Sequence, residues 1–232
     1  MFLLDKNLTS AAIQSENQDK DSTIIKVSAN DFDCIDPSAF NGYTNVFIVK
    51  IDDNNINLLD QISFASLTSL TELEMFDNKI AYIAPGTFSN NKKLSFLILK
   101  NNLLTNIQPY MFDGLNELFS LNLANNKIEY IASNSFKSLS SLMNLDLSNN
   151  FISFIDQSIM NGLDGLSSLY LENNVMNSFD VNTFDYLITP LTINLFNNKN
   201  LSVNNIAYLT ARYPDVTFDV DFEGNFVSFD HL

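Results

Sequence analysis

Asparagine recurs every 24 residues along this chain, at Asn30, Asn54, Asn78, Asn102, Asn126, Asn150, Asn174 and Asn198; 54−30, 78−54 and each later difference give the same number. A register that never slips means one supersecondary unit copied end to end, not a single irregular core. A unit of this length cannot bury its own apolar face, so its copies must stack on one another.

The residues around each asparagine repeat with it. Leu142, Leu145, Leu147, Asn150, Ile152 and Ile155 spell L-x-x-L-x-L-x-x-N-x-I-x-x-I, and Leu118, Leu121, Leu123, Asn126, Ile128 and Ile131 spell it again. In L-x-L, alternate side chains leave a strand on one side, so Leu145 and Leu147 face inward while Asn144, Asp146 and Ser148 face out. An asparagine brings two donors and an acceptor to the turn where the strand leaves the sheet and backbone groups lack partners. Asn54, Asn78, Asn102, Asn126, Asn150, Asn174 and Asn198 are therefore expected to form a structural ladder. A second ladder runs through Phe40, Phe64, Phe88, Phe112, Phe136 and Phe184, with Met160 and Tyr208 at the remaining rungs.

On these motifs the sequence resembles the leucine-rich repeat family over roughly residues 22–225, and its unit length and phenylalanines resemble the 24-residue "typical" subclass of extracellular receptors and adhesion proteins. The resemblance implies an α/β fold: a right-handed solenoid or horseshoe with one short parallel strand per repeat on its concave face and an irregular or short-helical convex side. It also implies a receptor-like, non-catalytic protein-binding role.

Departures from the pattern mark the ends. Ser22 replaces the leading leucine of the first unit, and Asn91 stands where Leu67, Leu115 and Leu139 stand elsewhere. After Asn198, Ile206, Leu209 and Tyr213 fall at helical spacing before Pro214, which predicts a convex-side helix. Val220, Phe222 and Asn225 then read as a final L-x-L-x-x-N strand, although 225−198 is 27. Asp215, Asp219, Asp221 and Glu223 would keep that terminal edge soluble. Residues 1–21 lack the period and read as a poorly ordered tail, so the domain division is a tail over 1–21 and a solenoid over 22–232, eight repeats plus a capping strand.

Composition narrows the function. The net charge is −15, with 27 acidic against 12 basic residues. Phosphate binding needs a basic footprint, so the charge argues against a nucleic-acid role and favours solubility or a partner with a basic surface. The lone histidine, His231, stands beside the last residue, and Cys34 is the only cysteine, so neither an internal disulfide nor a His/Cys metal site can form. Cys34 precedes inward Ile35 and is expected to be a small packed side chain. Asp219 and Asp221 share a strand face and suit a solvated edge better than a calcium site. No catalytic constellation, cofactor motif or membrane segment is evident. The sequons at Asn7 and Asn200 fit an extracellular or cell-surface protein whose leader lies outside this chain. Missing cap disulfides, usual in extracellular relatives, fit a cytoplasmic one.

Three outward columns describe the working face. They vary from unit to unit while the inward columns barely change. Phe76, Phe96 and Ile98 cluster on adjacent units, ringed by Lys50, Glu72, Glu74 and Lys100, and apolar anchors within a charged rim are the usual anatomy of a protein interface. Tyr170, Glu172 and Phe196 form a second, smaller candidate. The expected function is recognition of a protein partner on the concave face. The alternatives are a self-associating structural or adhesive element, and an intracellular scaffold or regulator.

Overall fold

A computed structural model describes residues 6–16, 18–187, 190–222 and 225–228. Each repeat gives one three- or four-residue strand to a single sheet: Ile24–Lys26, Ile48–Lys50, Glu72–Glu74, Phe96–Ile98, Ser120–Asn122, Asn144–Asp146, Ser168–Tyr170 and Leu191–Asn194. All eight pair in parallel and in strict register, Leu73 against Leu97 and Leu97 against Leu121. We number the repeats 1 to 8 by these strands. The coil is a solenoid of stacked parallel strands with few helices.

Its core is a column of identical positions. Leu73, Leu97, Leu121 and Leu145 are buried along the sheet, and Ile83, Ile107, Ile131 and Ile155 close the opposite wall. That wall is carried by two-residue strands that pair only with neighbouring repeats, such as Asn106–Ile107 with Tyr130–Ile131. Phe40 stacks on Phe64 at 5.8 Å, Phe64 on Phe88 at 6.2 Å and Phe112 on Phe136 at 6.0 Å, all buried.

The asparagine ladder uses both ends of its amide. Asn102 Nδ2 donates to the carbonyls of Met75 at 2.9 Å and Leu99 at 3.0 Å, and its Oδ1 accepts the Ile80 N–H at 2.9 Å. Asn126, Asn150, Asn174 and Asn198 repeat the pattern one unit further on. Each therefore ties its own strand end to two points of the preceding repeat. The residue before each lies at positive φ, between 53° and 57° at Asp53, Asp77, Asn101, Asn125, Asn149, Asn173 and Asn197. Asp and Asn tolerate that left-handed region, which explains the D-N and N-N pairs throughout the sequence.

Both ends depart from the sequence reading. Over 6–16 the chain forms a cap where a tail was expected. Asn7–Leu8 pairs in parallel with Cys34–Ile35, and the helix Ser10–Ser15 buries Ile13 over the first repeat. Thr9 caps the helix by accepting the Ala12 N–H at 3.2 Å. The open sheet edge is met by Gln18, whose side-chain amide donates to Lys26 O and accepts from Lys26 N, both at 2.7 Å. Cys34 is half-buried, its Sγ donating to Asn7 Oδ1 at 2.7 Å, rather than packed in the core.

At the far end the helix Val203–Arg212 buries Ile206 and Leu209 as expected. Tyr208 is 52% exposed on its outer side and is not a rung of the phenylalanine ladder. Tyr213 covers Phe184 instead, edge-on at 5.6 Å. The last parallel strand, Val216–Phe222, sets Phe218 opposite Ile193, so the positions equivalent to the inward pair are the buried Phe218 and Val220, two residues before the Val220 and Phe222 expected. Asn225, expected to complete a last L-x-L-x-x-N unit, instead begins Asn225–Ser228, which pairs antiparallel with that strand and forms the edge itself. Glu223 and His231 lie outside the described residues.

Candidate concave recognition face

The outward columns lie side by side because the strands are in register. Lys50 neighbours Glu74, and Glu74 neighbours Ile98; Ile48 neighbours Glu72, and Glu72 neighbours Phe96. The sheet thus brings together the central residues expected from sequence: Lys50, Glu72, Glu74, Phe76, Phe96, Ile98 and Lys100 occupy three adjacent repeats. Lys50 Nζ lies 2.6 Å from Glu74 and 3.4 Å from Glu72, and Lys100 Nζ sits 5.1 Å above the Phe76 ring. Phe96 is 43% exposed.

Electrostatically the three central acidic residues behave differently. The hydrogen bond from Lys50 to Glu74 holds the lysine above its ordinary pKa. Glu72 is raised, first by its hydrogen bond to Glu74 and then by burial. At Glu74 burial raises the pKa, but the hydrogen bonds from Lys50 and Glu72 and the attraction of Lys50 and Lys100 outweigh it, so the net shift is downward. Asp52, beside Phe76 in the third column, is only 5% exposed, and among the described residues its Oδ1 has no hydrogen-bond partner. Burial, reinforced by the charge of Glu74, pushes its carboxyl up to about 6.

Not every outward position is open. Asp52, Ala124 and Ser148 in the third column are almost closed from solvent. Conversely, the apolar patch runs further than the three columns. Phe119, 40% exposed, meets Phe96 at 5.9 Å between ring centres, and Met143, 39% exposed, follows one repeat on. Both precede a strand, where Thr71, Ser95 and Ser167 stand in other repeats; that substitution of polar by apolar residues at one repeat position was the available signal. Tyr170, Glu172 and Phe196 share the C-terminal half of the face, with Tyr170 39% exposed.

Among the described residues no group of three or more His, Cys, Asp or Glu side chains is placed to hold a metal ion, and no helix is long and apolar enough to cross a membrane.

The leucine rich repeat family profile matches residues 23–80, 77–128, 120–176 and 140–199. Those matches span most of the chain, and it belongs to that family. A similar solved structure, titled as the crystal structure of a TLR13–ssRNA13 complex, shares 27% identity with a TM-score of 0.76, covering 88% of this chain and 30% of that one. The chain thus spans under a third of the length of that matched chain. No curated protein matches it.

Proposed function

We propose that this chain is a non-catalytic recognition module that binds a protein partner on its concave face, with Phe76, Phe96 and Ile98 as anchors inside the rim of Lys50, Glu72, Glu74 and Lys100. The observation that carries this reading is the apolar patch itself. Phe96 and Phe119 stand 43% and 40% exposed on the sheet side although the core is already filled by the leucine and phenylalanine columns. Clustered aromatics within charged neighbours are the compositional mark of binding hot spots. Family membership and the TLR13 neighbour support ligand recognition in general terms.

The RNA in that neighbour's title is a weaker guide to this chain's ligand. A net charge of −15 opposes phosphate binding, and the two lysines of the central patch, Lys50 and Lys100, are engaged by Glu74 and Phe76. A protein partner suits the patch better.

The test is the double variant Phe76→Ala/Phe96→Ala. Both rings are partly exposed, so its circular dichroism and melting curve should stay close to wild type. Capture of the partner by the intact chain should be lost, since truncating two hot-spot rings weakens binding on the order of 100-fold or more. Undiminished capture, or failure of the variant to fold, would overturn the assignment. A single-stranded RNA run alongside is expected to show no binding to either chain; binding of RNA to the wild type alone would replace the protein ligand with a nucleic acid.

A further inference from the structure

The two halves of the concave face differ in how their charges are answered. In the N-terminal half, Lys50 pairs with Glu72 and Glu74, and Lys100 stands close enough to help ionise Glu74. In the C-terminal half, the outward columns from Ser120 to Asp219 contain no lysine or arginine among the described residues. They contain Asp146, Glu172 and Asp219, with Tyr170 and Phe196 between them.

The register fixes their neighbours. Asp146 pairs with Tyr170, Tyr170 with Asn194, and Asn194 with Asp219. Glu172 lies two residues beyond Tyr170 on the same side of its strand. Strands about 4.8 Å apart set Asp146 beside Tyr170 and Glu172 beside Phe196 at roughly 5 Å, with Tyr170 and Glu172 roughly 7 Å apart along the middle strand and Asp146 and Phe196 roughly 12 Å apart at the extremes. Asp146 is oriented by the Ser148 N–H and hydroxyl at 3.0 and 2.7 Å. Glu172 is not answered in the same way: its Oε2 is fully covered and has no hydrogen-bond partner among the described residues. Burial, with the added charge of Asp146, raises its pKa. Glu172 and Asp146 both remain partly exposed, and the negative charge they share is held at a cost that a cation brought to their open side would relieve. An adjacent exposed tyrosine ring attracts the same kind of group.

We propose that repeats 6 to 8 form a cation subsite that seats an arginine or lysine side chain of the protein partner, between the Tyr170 and Phe196 rings and the Asp146 and Glu172 carboxylates. The subsite rests on the concave face being the recognition surface, and it gives the partner a direction: its basic end lies toward repeat 8 and its apolar anchors lie over repeats 3 to 5.

The experiment uses the intact chain and two probes, an acetylated and amidated (Arg-Gly)3 peptide and its citrulline counterpart, followed by backbone amide shifts. The arginine peptide should perturb repeats 6 to 8 and bind at least about tenfold more tightly than the citrulline peptide, because only the former carries charge. Glu172→Gln and Tyr170→Ala should each weaken it about five- to tenfold. Glu117→Gln/Glu129→Gln, which removes two exposed carboxylates elsewhere, should not. Equal weakening by both sets of charge removals would show that the peptide follows net charge alone, and the subsite would be rejected. Equal binding of the two peptides, or no binding by either, would reject it as well. Phe76→Ala/Phe96→Ala should leave the peptide's affinity unchanged. If that variant keeps its partner while Glu172→Gln loses the peptide, the central patch fails and the subsite stands. If it loses the partner while Glu172→Gln binds the peptide like wild type, the central patch stands and the subsite fails.

Discussion

A ladder asparagine does work that neither an acid nor an aliphatic residue can copy. Asn102 satisfies the Met75 and Leu99 carbonyls and the Ile80 N–H together, all within buried surroundings. Asn102→Leu keeps the approximate volume but strands the Ile80 N–H, while the Met75 carbonyl keeps only the longer bond from Asn78 Nδ2 at 3.3 Å. At about 1–3 kcal/mol for an unmet buried group, the loss should be about 1–3 kcal/mol in urea unfolding. A loss below 1 kcal/mol would show that the backbone finds other partners. Asp52 offers the opposite case, a polar residue where a neutral one would serve better. Its folded pKa of about 6 exceeds its ordinary value of 3.8, so the folded state holds the proton more tightly than the unfolded chain. The associated stabilisation is complete below about pH 4 and disappears as pH rises through 6. Asp52→Asn mimics the protonated form. It should therefore exceed wild type by about 1–3 kcal/mol at pH 8, with the two converging at pH 4 in chemical denaturation. A gap that is the same at both pH values would mean that Asp52 is not buried as described.

At the scale of elements, glycine marks where one repeat's backbone meets the next. Gly162 has φ +90°, and a Cβ there would stand 2.5 Å from Lys137 Cα and 2.7 Å from its carbonyl carbon and oxygen. All three atoms belong to the main chain of the neighbouring turn and cannot rotate away. Gly86 has a similar φ of +78°, yet its nearest contact is the Gln61 side-chain amide at 4.0 Å. Gly162→Ala should cost about 2–4 kcal/mol and Gly86→Ala about 1 kcal/mol, the second reflecting dihedral strain alone. Thermal unfolding of the pair checks the order, and equal losses would refute the close approach. The same contrast explains what the sequence could disclose. The parallel sheet, the inward leucines and the asparagine ladder follow from period alone, because every copy meets the same neighbour. The concave columns follow from strand alternation for the same reason. Positions lacking a copy on one side were not legible. Tyr208 continues the 24-residue arithmetic from Phe184 but sits on the outer face of a ten-residue helix, whose 3.6-residue period overrides the repeat. Phe218 and Val220 replace Val220 and Phe222 because that helix changes the spacing before the last strand. Phe119 and Met143 escaped because the strand pattern stops one residue short of them.

For the whole molecule, the repeats are coupled only to their neighbours, so the ends decide how unfolding begins. The N-terminal end is closed by three devices: Leu8 and Ile13 cover the first repeat, Asn7–Leu8 extends its short second strand, and Gln18 pairs with the Lys26 backbone at the sheet edge. A nearest-neighbour solenoid that loses its cap frays from that end while its centre keeps its contacts. Ile13→Asp places a charge where the side chain is fully buried and should open the cap without touching any ladder asparagine. In hydrogen exchange, the amides of Phe32 and Val27, bonded to Asn54 and Lys50, should lose protection by about tenfold or more. The amides of Leu104 and Ile128, held by Asn126 and Asn150, should change little. A gradient falling with distance from repeat 1 is the signature of stacked modules. Equal loss at all four amides would instead mean that the chain unfolds as one cooperative block, and that energy passes through the phenylalanine and asparagine ladders over the full length of the solenoid rather than from one repeat to the next.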